Sequence, residues 1–337
     1  MSGLRGVIFG VGGIARQSHL PAFRALAEAG TDVRVVAAVD PRYAGQTIDD
    51  IPVVAHRGDL ARLEPFDFID ICTPTGSHLD LVLWGLGEGH HVVCEKPVAL
   101  TPGEAAQVTA AARQAGRVVM PCHQHRYNPA WLRLRQWLDD QAIGRWHLAE
   151  FDVHRPTADP GAMASAVPWR GQASDSRGGV LLDHGTHLLY LLGDVAGRPH
   201  TVQAWTGRLR HSSYDVEDTA EVLLDFGGRL ARLFLTWAGA GRENRIRFVG
   251  ERGQVEWRGG TLRLEAPDMT QSLDFSAQLD KASYTGWFTQ LFRDFHAAVA
   301  ARDGISHLTD LSLVAEVLDL AYRSSAEGRR LPLEPSA

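Results

Sequence analysis

A glycine-rich turn near the start of the chain constrains the fold more than any other feature. Gly10, Gly12 and Gly13 follow an apolar run and precede residues 14–30, which have the composition of a helix. The next apolar run ends at Asp40. A glycine turn between a strand and a helix, with an acidic residue closing the second strand, is typical of a dinucleotide site on a parallel sheet. The alternative is a glycine turn that serves packing alone.

The chemistry of a dinucleotide site gives each residue of the turn a role. Gly10 allows the tight turn, and Gly12 lets the backbone approach a pyrophosphate. Ala15 is small enough for the helix to pack closely on the strand. Backbone N–H groups at the start of the helix, among them those of Gly13 and Ile14, would face the phosphate charge.

The position of Asp40 bears on the choice of cofactor. Its carboxylate can accept hydrogen bonds from both ribose hydroxyls of NAD and would repel the 2'-phosphate of NADP. Arg42, two residues later, offers a cation to such a phosphate. The sequence therefore favours NAD and leaves NADP open.

Length and charge narrow the possible partners. A chain of 337 residues suits two domains, and its formal net charge of -6, without a basic block, argues against nucleic acid. No apolar segment reaches the length of about 20 residues that spans a bilayer, and the first residues lack a signal-peptide pattern. We expect a cytoplasmic protein with a small-molecule substrate and no membrane partner.

The cysteines and histidines do not predict a metal site. Cys72, Cys94 and Cys122 lie at or near the ends of apolar runs, where buried free thiols are expected. Two histidine pairs, at 123/125 and 184/187, offer nitrogen ligands, but a zinc site needs three or four convergent ligands. We therefore expect no metal.

Residues 1–122 alternate short β-branched runs with helical stretches, the pattern of a doubly wound parallel sheet. The predicted strands are 4–9, 33–40, 53–56, 68–73, 91–95 and 118–122. The predicted helices between them include 14–30, 78–89 and 102–116. This is a Rossmann domain in an α/β chain.

Residues 123–337 have a different rhythm. Helices are predicted over 128–141, 179–192, 283–301 and 309–326. Strands are predicted over 146–154, 201–209, 219–226, 230–237, 245–250 and 254–258. Runs joined by tight turns pair antiparallel, so we predict an α+β domain with an open, mostly antiparallel sheet, its outer face free to form a homodimer or homotetramer. With no long linker, the active site is expected between the two domains.

Reactive side chains follow two of the predicted parallel strands. The segment from Cys72 to His78 ends one strand and starts a helix, and Glu95-Lys96-Pro97 ends the next. Ligands bind beyond the carboxyl ends of parallel strands, so both segments would face a nicotinamide. The residue before a proline is extended, and its peptide bond is of the kind that can be cis.

A second cluster combines a carboxylate with an imidazole. On a helix Asp183 and His187 are four residues apart and share a face, so the carboxylate can orient the imidazole or lie beside it. Histidine titrates near neutral pH and can exchange a proton with an alcohol oxygen. The other interpretation is that Asp183 merely satisfies a buried ring.

These residues resemble a known family, that of glucose-fructose oxidoreductase, inositol 2-dehydrogenase and rhizopine-catabolism proteins (Gfo/Idh/MocA), over nearly the whole chain. The matching motifs are Gly10-x-Gly12-Gly13-Ile14-Ala15, Asp40, Thr73-Pro74 with His78, Glu95-Lys96-Pro97, Arg126-Tyr127-Asn128-Pro129, Trp169-Arg170 and Gly178-Gly179-x-x-x-Asp183-x-Gly185-x-His187. The resemblance implies that Lys96 polarises the substrate oxygen and that Asp183 and His187 form the acid/base pair.

The resemblance also implies roles for the remaining residues. Thr73, Pro74, His78 and Glu95 would lie on the cofactor side. Arg126, Asn128, Trp169 and Arg170 would line the substrate pocket. The His123-x-His125 pair departs from the family's commoner sequence before Arg126 and would tailor the pocket. Arg177-Gly178-Gly179 stands where many relatives have a third glycine. The loop 155–177 would set specificity.

The sequence thus predicts an NAD(P)-dependent oxidoreductase that transfers a hydride between nicotinamide and a secondary alcohol or ketone of a sugar, an inositol or a related polyol. Two rival hypotheses stay open. One is a glycoside lyase or hydrolase that uses tightly bound NAD for transient oxidation. The other is a dinucleotide-binding sensor without catalysis.

Overall fold

The computed structural model describes residues 3–62, 64–159, 167–279, 283–304 and 307–334. The chain divides into two compact units. The first comprises Met1–Ala99, Gly103–Tyr127 and Lys281–Ser312, and the second Leu100–Pro102, Asn128–Asp280 and Leu313–Ala337. None of the helices within the described residues is long and apolar enough to cross a membrane.

The first unit is built on a seven-stranded sheet. Its strands are β1 (Leu4–Phe9), β2 (Val33–Val39), β3 (Thr47–Ile48), β4 (Ile51–Val54), β5 (Phe68–Ile71), β6 (His91–Cys94) and β7 (Val119–Pro121). Their order is β3-β4-β2-β1-β5-β6-β7, and every pair is parallel except β3 with β4. From β4 onward this is the Rossmann strand order, so the predicted doubly wound sheet is confirmed.

The helices of the first unit follow the predicted alternation. They are α1 (Leu20–Glu28), α2 (His78–Gly87), α3 (Pro102–Ala115) and α7 (Tyr284–Ala301), numbered along the chain. A π-type turn, Ala15–His19, precedes α1, so the predicted helix 14–30 has a widened first part. Gly89 and Gly116 have positive φ values of 80° and 60°, as expected of glycines that end helices.

Helix α7 does not lie in the unit that the predicted domain boundary at 122/123 gives it. The sequence analysis gives it to the second domain, whereas the structure places it in the first unit. The reason is an aromatic face: Phe292 stacks on Phe23 of α1 at a centroid distance of 4.1 Å, and Phe295 meets Phe68 of β5 at 5.4 Å. Burial of these rings outweighs proximity along the chain.

The second unit is built on a nine-stranded sheet. Its strands are β8 (Trp146–His154), β9 (Thr201–Gly207), β10 (Thr219–Asp225), β11 (Leu230–Thr236), β12 (Glu243–Gly250), β13 (Gly253–Arg258), β14 (Thr261–Ala266), β15 (Met269–Asp274) and β16 (Leu331–Pro332). Their order is β15-β14-β13-β12-β8-β11-β10-β9-β16, and β8 with β11 is the parallel pair among them. The mostly antiparallel sheet is confirmed.

One turn and two strands show what the pattern could and could not predict. Gly227 and Gly228 both have positive φ, and Phe226 N donates to Arg229 O, so they form the predicted two-residue hairpin between β10 and β11. Strands β14 and β15 were not predicted. The latter is a polar edge strand, which has little hydrophobic pattern.

The two faces of this sheet differ in chemistry. The inner face carries buried apolar side chains, such as Phe151 and Phe248, which pack with the helices of the unit. Those helices are α4 (Pro129–Asp139), α6 (Thr186–Ala196) and α8 (Leu308–Glu327), the last of which begins in the first unit, and the unit also contains the short helix α5 (Ala173–Ser176). The outer face carries ion pairs, among them Arg245 with Glu256 and Arg232 with Asp152.

Candidate active site

The glycine turn has the geometry that a pyrophosphate requires. Gly10 has φ +85°, and a Cβ there would lie 2.9 Å from the carbonyl oxygen of Cys72. A Cβ on Gly12 or Gly13 would meet nothing within 4 Å, so this side of the turn is open. Ala15 is fully buried against β1 and β2. The residues therefore fit a dinucleotide, with Gly10 serving the turn and Gly12 and Gly13 leaving room.

Asp40 lies at the end of β2, beside this turn. Its Oδ2 accepts a hydrogen bond from Val11 N at 3.1 Å, and its Oδ1 accepts one from Arg42 N at 3.0 Å. Burial alone would raise the pKa of Asp40, but the hydrogen bonds from Val11 and Arg42 and the Arg42 guanidinium lower it below its ordinary value. The carboxylate is therefore ionised at neutral pH, as binding of a ribose diol requires.

Two guanidinium groups flank the ring of Tyr43, just after Asp40. Arg16 lies 4.4 Å from the ring centroid and Arg42 lies 5.7 Å from it. The Arg42 side chain is 74% exposed, and its Nε is 3.5 Å from Asp40 Oδ1. Arg42 thus partly neutralises the carboxylate while remaining accessible.

Lys96 lies where the sequence predicts, directly beyond β6. The Lys96–Pro97 peptide bond is cis, as the sequence suggested, and Lys96 N donates to Glu95 Oε2 at 3.2 Å. His78 is buried, and its two ring nitrogens lie 2.8 Å from the carbonyl oxygens of Pro97 and Thr73. His78 therefore ties the segment after β5 to the segment after β6.

Burial determines the charge state of His78. It lowers the pKa of the imidazole below its ordinary value, although both carbonyl partners oppose this shift. The neutral ring has one N–H and donates to one carbonyl at a time. A structural contact of this kind was not foreseen, since the sequence placed His78 on the cofactor side.

In the second unit, Asp183 lies in a π-type turn, Leu181–Gly185, that leads into α6. Its Oδ2 is 3.5 Å from Arg170 Nε, and the Arg170 guanidinium stacks on Trp169 at 4.4 Å. The structure therefore brings Asp183 together with Trp169 and Arg170, which belong to a different motif of the sequence analysis. Wide turns of this type occur frequently at functional sites.

His187 follows on α6 and is only 8% exposed. Its Nδ1 lies 2.9 Å from the hydroxyl of Tyr190, a residue that the sequence analysis did not single out. Tyr190 is buried one helical turn further on, so the contact fixes the plane of the imidazole.

The glycines before Asp183 are explained by a carboxylate from another part of the chain. Glu217 accepts hydrogen bonds from Gly179 N at 3.0 Å and Leu181 N at 3.1 Å, and Tyr322 donates its hydroxyl to Glu217 at 2.8 Å. A Cβ on Gly179 would lie 1.9 Å from the Glu217 carbonyl oxygen, and one on Gly178 would lie 2.7 Å from the Tyr322 hydroxyl. Glycine at positions 178 and 179 therefore leaves the room that Tyr322 and Glu217 occupy.

Glu217 and Tyr322 are both deeply buried, and burial raises the pKa of each. The hydrogen bonds to Gly179, Leu181 and Tyr322 work against that rise at Glu217. Sequence reasoning missed this pair because neither residue belongs to a motif and they are 105 residues apart.

Two predicted pocket residues have structural partners in their own units, and a third is buried. Arg126 donates to Asp310 at 2.6 Å, and Asn128 Oδ1 accepts from Ala130 N at 2.9 Å, which caps α4. His123 is buried, and this burial lowers its pKa well below the ordinary value. Their predicted roles toward substrate stay predictions. Residues 160–166 of the predicted specificity loop lie outside the described residues.

The predicted thiol chemistry is confirmed. Cys72, Cys94 and Cys122 are free and buried. Burial raises the pKa of Cys72 to about 12 and the pKa values of the other two well above their ordinary value. None of the three is a reactive thiolate at neutral pH.

Two family models match successive parts of the chain. The model described as "Oxidoreductase family, NAD-binding Rossmann fold" matches residues 4–123, and the "GFO/IDH/MocA C-terminal domain" model matches residues 131–256. Together they cover more than half of the chain. The chain belongs to the GFO/IDH/MocA oxidoreductase family. Its first unit accordingly carries the NAD-binding Rossmann domain, and the predicted cofactor class is confirmed.

Several curated relatives are named as dehydrogenases, and this chain is an oxidoreductase acting on CH–OH groups. It is 29% identical to D-apiose dehydrogenase of Paraburkholderia graminis over 271 residues, 78% of this chain and 68% of that protein. It is 28% identical to D-glucoside 3-dehydrogenase of Escherichia coli over 251 residues, 67% of each chain. An uncharacterized oxidoreductase of Bacillus subtilis is matched over only 53% of its own length.

Solved structures share the fold over the whole chain. Levoglucosan dehydrogenase in complex with NADH superposes with a TM-score of 0.84, at 19% identity, covering 98% of this chain and 99% of that one. GenD2 from gentamicin A biosynthesis, in complex with NAD, gives a TM-score of 0.81 at 22% identity, covering 99% and 97%. At such identities the likeness shows the fold alone.

Proposed function

We propose that this chain is an NAD-dependent dehydrogenase for a secondary alcohol or ketone of a sugar, an inositol or a related polyol. The observation that carries the proposal is the pairing of Arg170 with Asp183 in the turn that leads to His187, in a chain whose other unit is an NAD-binding domain. The relatives named for D-apiose and D-glucosides support a hydroxyl-rich substrate. An aromatic face beside charged groups, as at Trp169, suits a sugar, which has polar edges and apolar faces.

The reaction needs a hydride carrier and a proton carrier. Bound NAD supplies hydride acceptance at its nicotinamide. His187 takes the hydroxyl proton at Nε2 on oxidation and returns it on reduction, while Tyr190 holds the ring at Nδ1. Lys96 stabilises the negative charge that develops on the substrate oxygen through electrostatic attraction to its amino group. Asp183 binds a neighbouring hydroxyl or orients the imidazole.

A substrate screen tests the proposal. Inositols, aldoses, amino sugars and their keto forms are offered with NAD(H) and NADP(H), and reduced nicotinamide is followed by absorbance. Stoichiometric NADH formation with one polyol class supports the dehydrogenase. Turnover of a glycoside with no net absorbance change would establish the redox-assisted lyase or hydrolase instead. NADH binding without turnover of any compound would favour the sensor.

The choice of NAD over NADP is a further part of the proposal. The ionised Asp40 disfavours a 2'-phosphate, and the exposed Arg42 works in the opposite direction. We expect Asp40→Ala to narrow the preference for NAD about tenfold or more, because removal of the like charge is worth on the order of 1.4 kcal/mol. Arg42→Ala is the matched variant and should widen the preference. The measurement is kcat/KM with each cofactor.

We also propose that the outer face of the second sheet forms a homo-oligomer. The Trp205 side chain stands 48% exposed on β9, opposite Glu221 of β10, beside the ion pairs of that face. Light scattering coupled to size exclusion measures the assembly. Trp205→Glu should reduce the mass, whereas Leu209→Glu, at an exposed site beyond the strand, should leave it unchanged. A monomeric wild-type chain would refute the proposal.

A further inference from the structure

One imidazole in the first unit contacts two carboxylates at once. His19 Nδ1 lies 2.8 Å from Asp70 Oδ2, and His19 Nε2 lies 3.0 Å from Glu95 Oε1. His19 and Asp70 are completely buried, and Glu95 is 8% exposed. Two carboxylates that both accept a hydrogen bond from one ring require both ring nitrogens to donate, which is the state of a protonated imidazole.

The groups packed around His19 are consistent with a charged ring. Burial by itself lowers the pKa of His19, but the Asp70 carboxylate raises it well above the ordinary value. Cys72 Sγ lies 3.3 Å from Nδ1, and the Cys122 thiol also faces the ring. Both thiols are neutral, as their raised pKa values require. From α7 the rings of Phe288 and Phe292 cover the imidazole, with centroid distances of 4.3 and 5.2 Å.

These contacts continue to Lys96. Glu95 uses Oε1 for His19 and Oε2 for the backbone N–H of Lys96. Asp70 belongs to β5, His19 ends the π-type turn that follows the glycine motif, and Glu95 comes directly after β6. A single chain of hydrogen bonds, Asp70–His19–Glu95–Lys96, therefore joins three elements of the nucleotide-binding unit.

We propose that His19 is a permanently protonated positioning residue, which holds the Glu95 carboxylate through one nitrogen and Asp70 through the other and so fixes the backbone at Lys96. The inference rests on the proposed function only in assigning Lys96 to the substrate oxygen. A misplacement of about 1 Å at a reacting group can cost about a hundredfold in rate. The hydrogen-bonded chain thus positions Lys96 accurately and does not carry protons.

The protonation state is tested without reference to activity. Nitrogen-15 histidine labelling of the full chain, followed by one-bond ring N–H correlations at neutral and mildly alkaline pH, should show a ring with two protected N–H groups. The signals are assigned to His19 because they move in Asp70→Asn. A His19 ring with a single N–H at neutral pH would overturn the proposal.

The positioning role is tested by kinetics. Asp70→Asn keeps the size of the side chain and removes its charge, so it should lower kcat about tenfold to a hundredfold while the Kd for NADH changes less than about twofold. Cys122→Ala is the matched control: it removes another buried thiol that faces His19, and kcat should stay unchanged. Equal kcat in Asp70→Asn and wild type would contradict positioning. Loss of kcat together with NADH binding would show a general folding defect and equally refute the proposal.

The pH dependence of stability gives a third reading. Because the folded pKa of His19 is raised, its contribution to stability is complete below the unfolded pKa, near 6.5, and is lost as pH rises through the folded pKa. The free energy of unfolding in urea should therefore decrease toward alkaline pH more steeply for the wild type than for Asp70→Asn. Parallel pH curves would contradict the charged ring.

A bound metal is the competing interpretation of this cluster. His19 with Asp70 and Cys72, or with Glu95 and Cys122, groups side chains of metal-ligating types. Elemental analysis of the purified protein decides the matter, since a stoichiometric metal would occupy nitrogens that the proposal requires to be protonated. If instead Lys96→Ala leaves turnover intact, the proposed function fails while the two-proton His19 signal persists. The two failures are therefore distinguishable.

Discussion

The two units position the side chains that we propose to be catalytic by different physical means. In the first unit, Lys96 follows the end of a parallel strand, and its backbone is held by the Glu95 carboxylate. In the second unit, Asp183 lies in a π-type turn whose start is held by the Glu217 carboxylate. In both cases a buried acidic side chain accepts hydrogen bonds from backbone N–H groups beside the proposed catalytic residue.

The difference lies in where the holding carboxylate comes from. Glu95 is the neighbour of Lys96 and part of the same motif, whereas Glu217 is 38 residues from Gly179 and lies just before β10. A motif can therefore include the carboxylate that holds its backbone, or it can include only glycines that leave room for a carboxylate from elsewhere in the chain. Gly178 and Gly179 are such space, since their missing side chains admit Tyr322 and Glu217.

The largest expected effect is on kcat, and it tests whether the two units act on the same substrate oxygen. Lys96→Ala and His187→Asn should each lower kcat by about 10²–10⁴, the range for loss of a positioned proton or charge carrier. If both act on one substrate oxygen, the double variant should lose much less than the product of the two losses. Steady-state kinetics of the four proteins measure this. Fully multiplicative losses would contradict a shared reacting group.

A smaller effect, on stability, tests the contact between Gly179 and Glu217 in the second unit. Gly179→Ala forces a Cβ against the Glu217 backbone and should destabilise the protein by about 1–3 kcal/mol, as overpacking does. Gly286→Ala on α7 is the control, because a Cβ there would meet nothing within 4 Å. The readout is the free energy of unfolding in urea. Equal stability of the two variants would show that Glu217 moves aside easily.

The glycine turn of the first unit offers a test within one motif. Gly10→Ala should destabilise the fold by about 1–2 kcal/mol because of its positive φ and the contact with Cys72. Gly12→Ala, which faces open space, should fold with wild-type stability yet weaken NADH binding. Thermal unfolding and NADH fluorescence titration separate the two. Unchanged NADH affinity in Gly12→Ala would remove the turn from the cofactor site.

The smallest expected effect concerns Asn128, which the sequence predicts in the substrate pocket and which caps α4 in the structure. Asn128→Ala should cost about 1 kcal/mol of stability as loss of a helix cap. Asn128→Asp retains the capping oxygen and serves as the control. An increase in KM in both variants would indicate contact with substrate, whereas loss of stability in Asn128→Ala alone would indicate capping only.

The local sequence pattern predicted most helices and strands because the residues that form each one are consecutive. Strands β1 and β8 have the predicted bounds, and the Gly227-Gly228 hairpin forms where expected. Edge strand β15 was not predicted because four of its six residues are polar. Helix α7 was assigned to the second domain because its sequence does not specify what its apolar face packs against.

The sequence by itself determined the Rossmann sheet, the glycine turn with Asp40, and the chemical identity of Lys96, Asp183 and His187. These features depend on residue type and short spacing, which the chain states directly. Only the tertiary structure decided that His19 lies between Asp70 and Glu95 and that Glu217 and Tyr322 hold the turn before Asp183. Such contacts join residues far apart along the chain, and buried polar groups must find partners wherever the packing brings them.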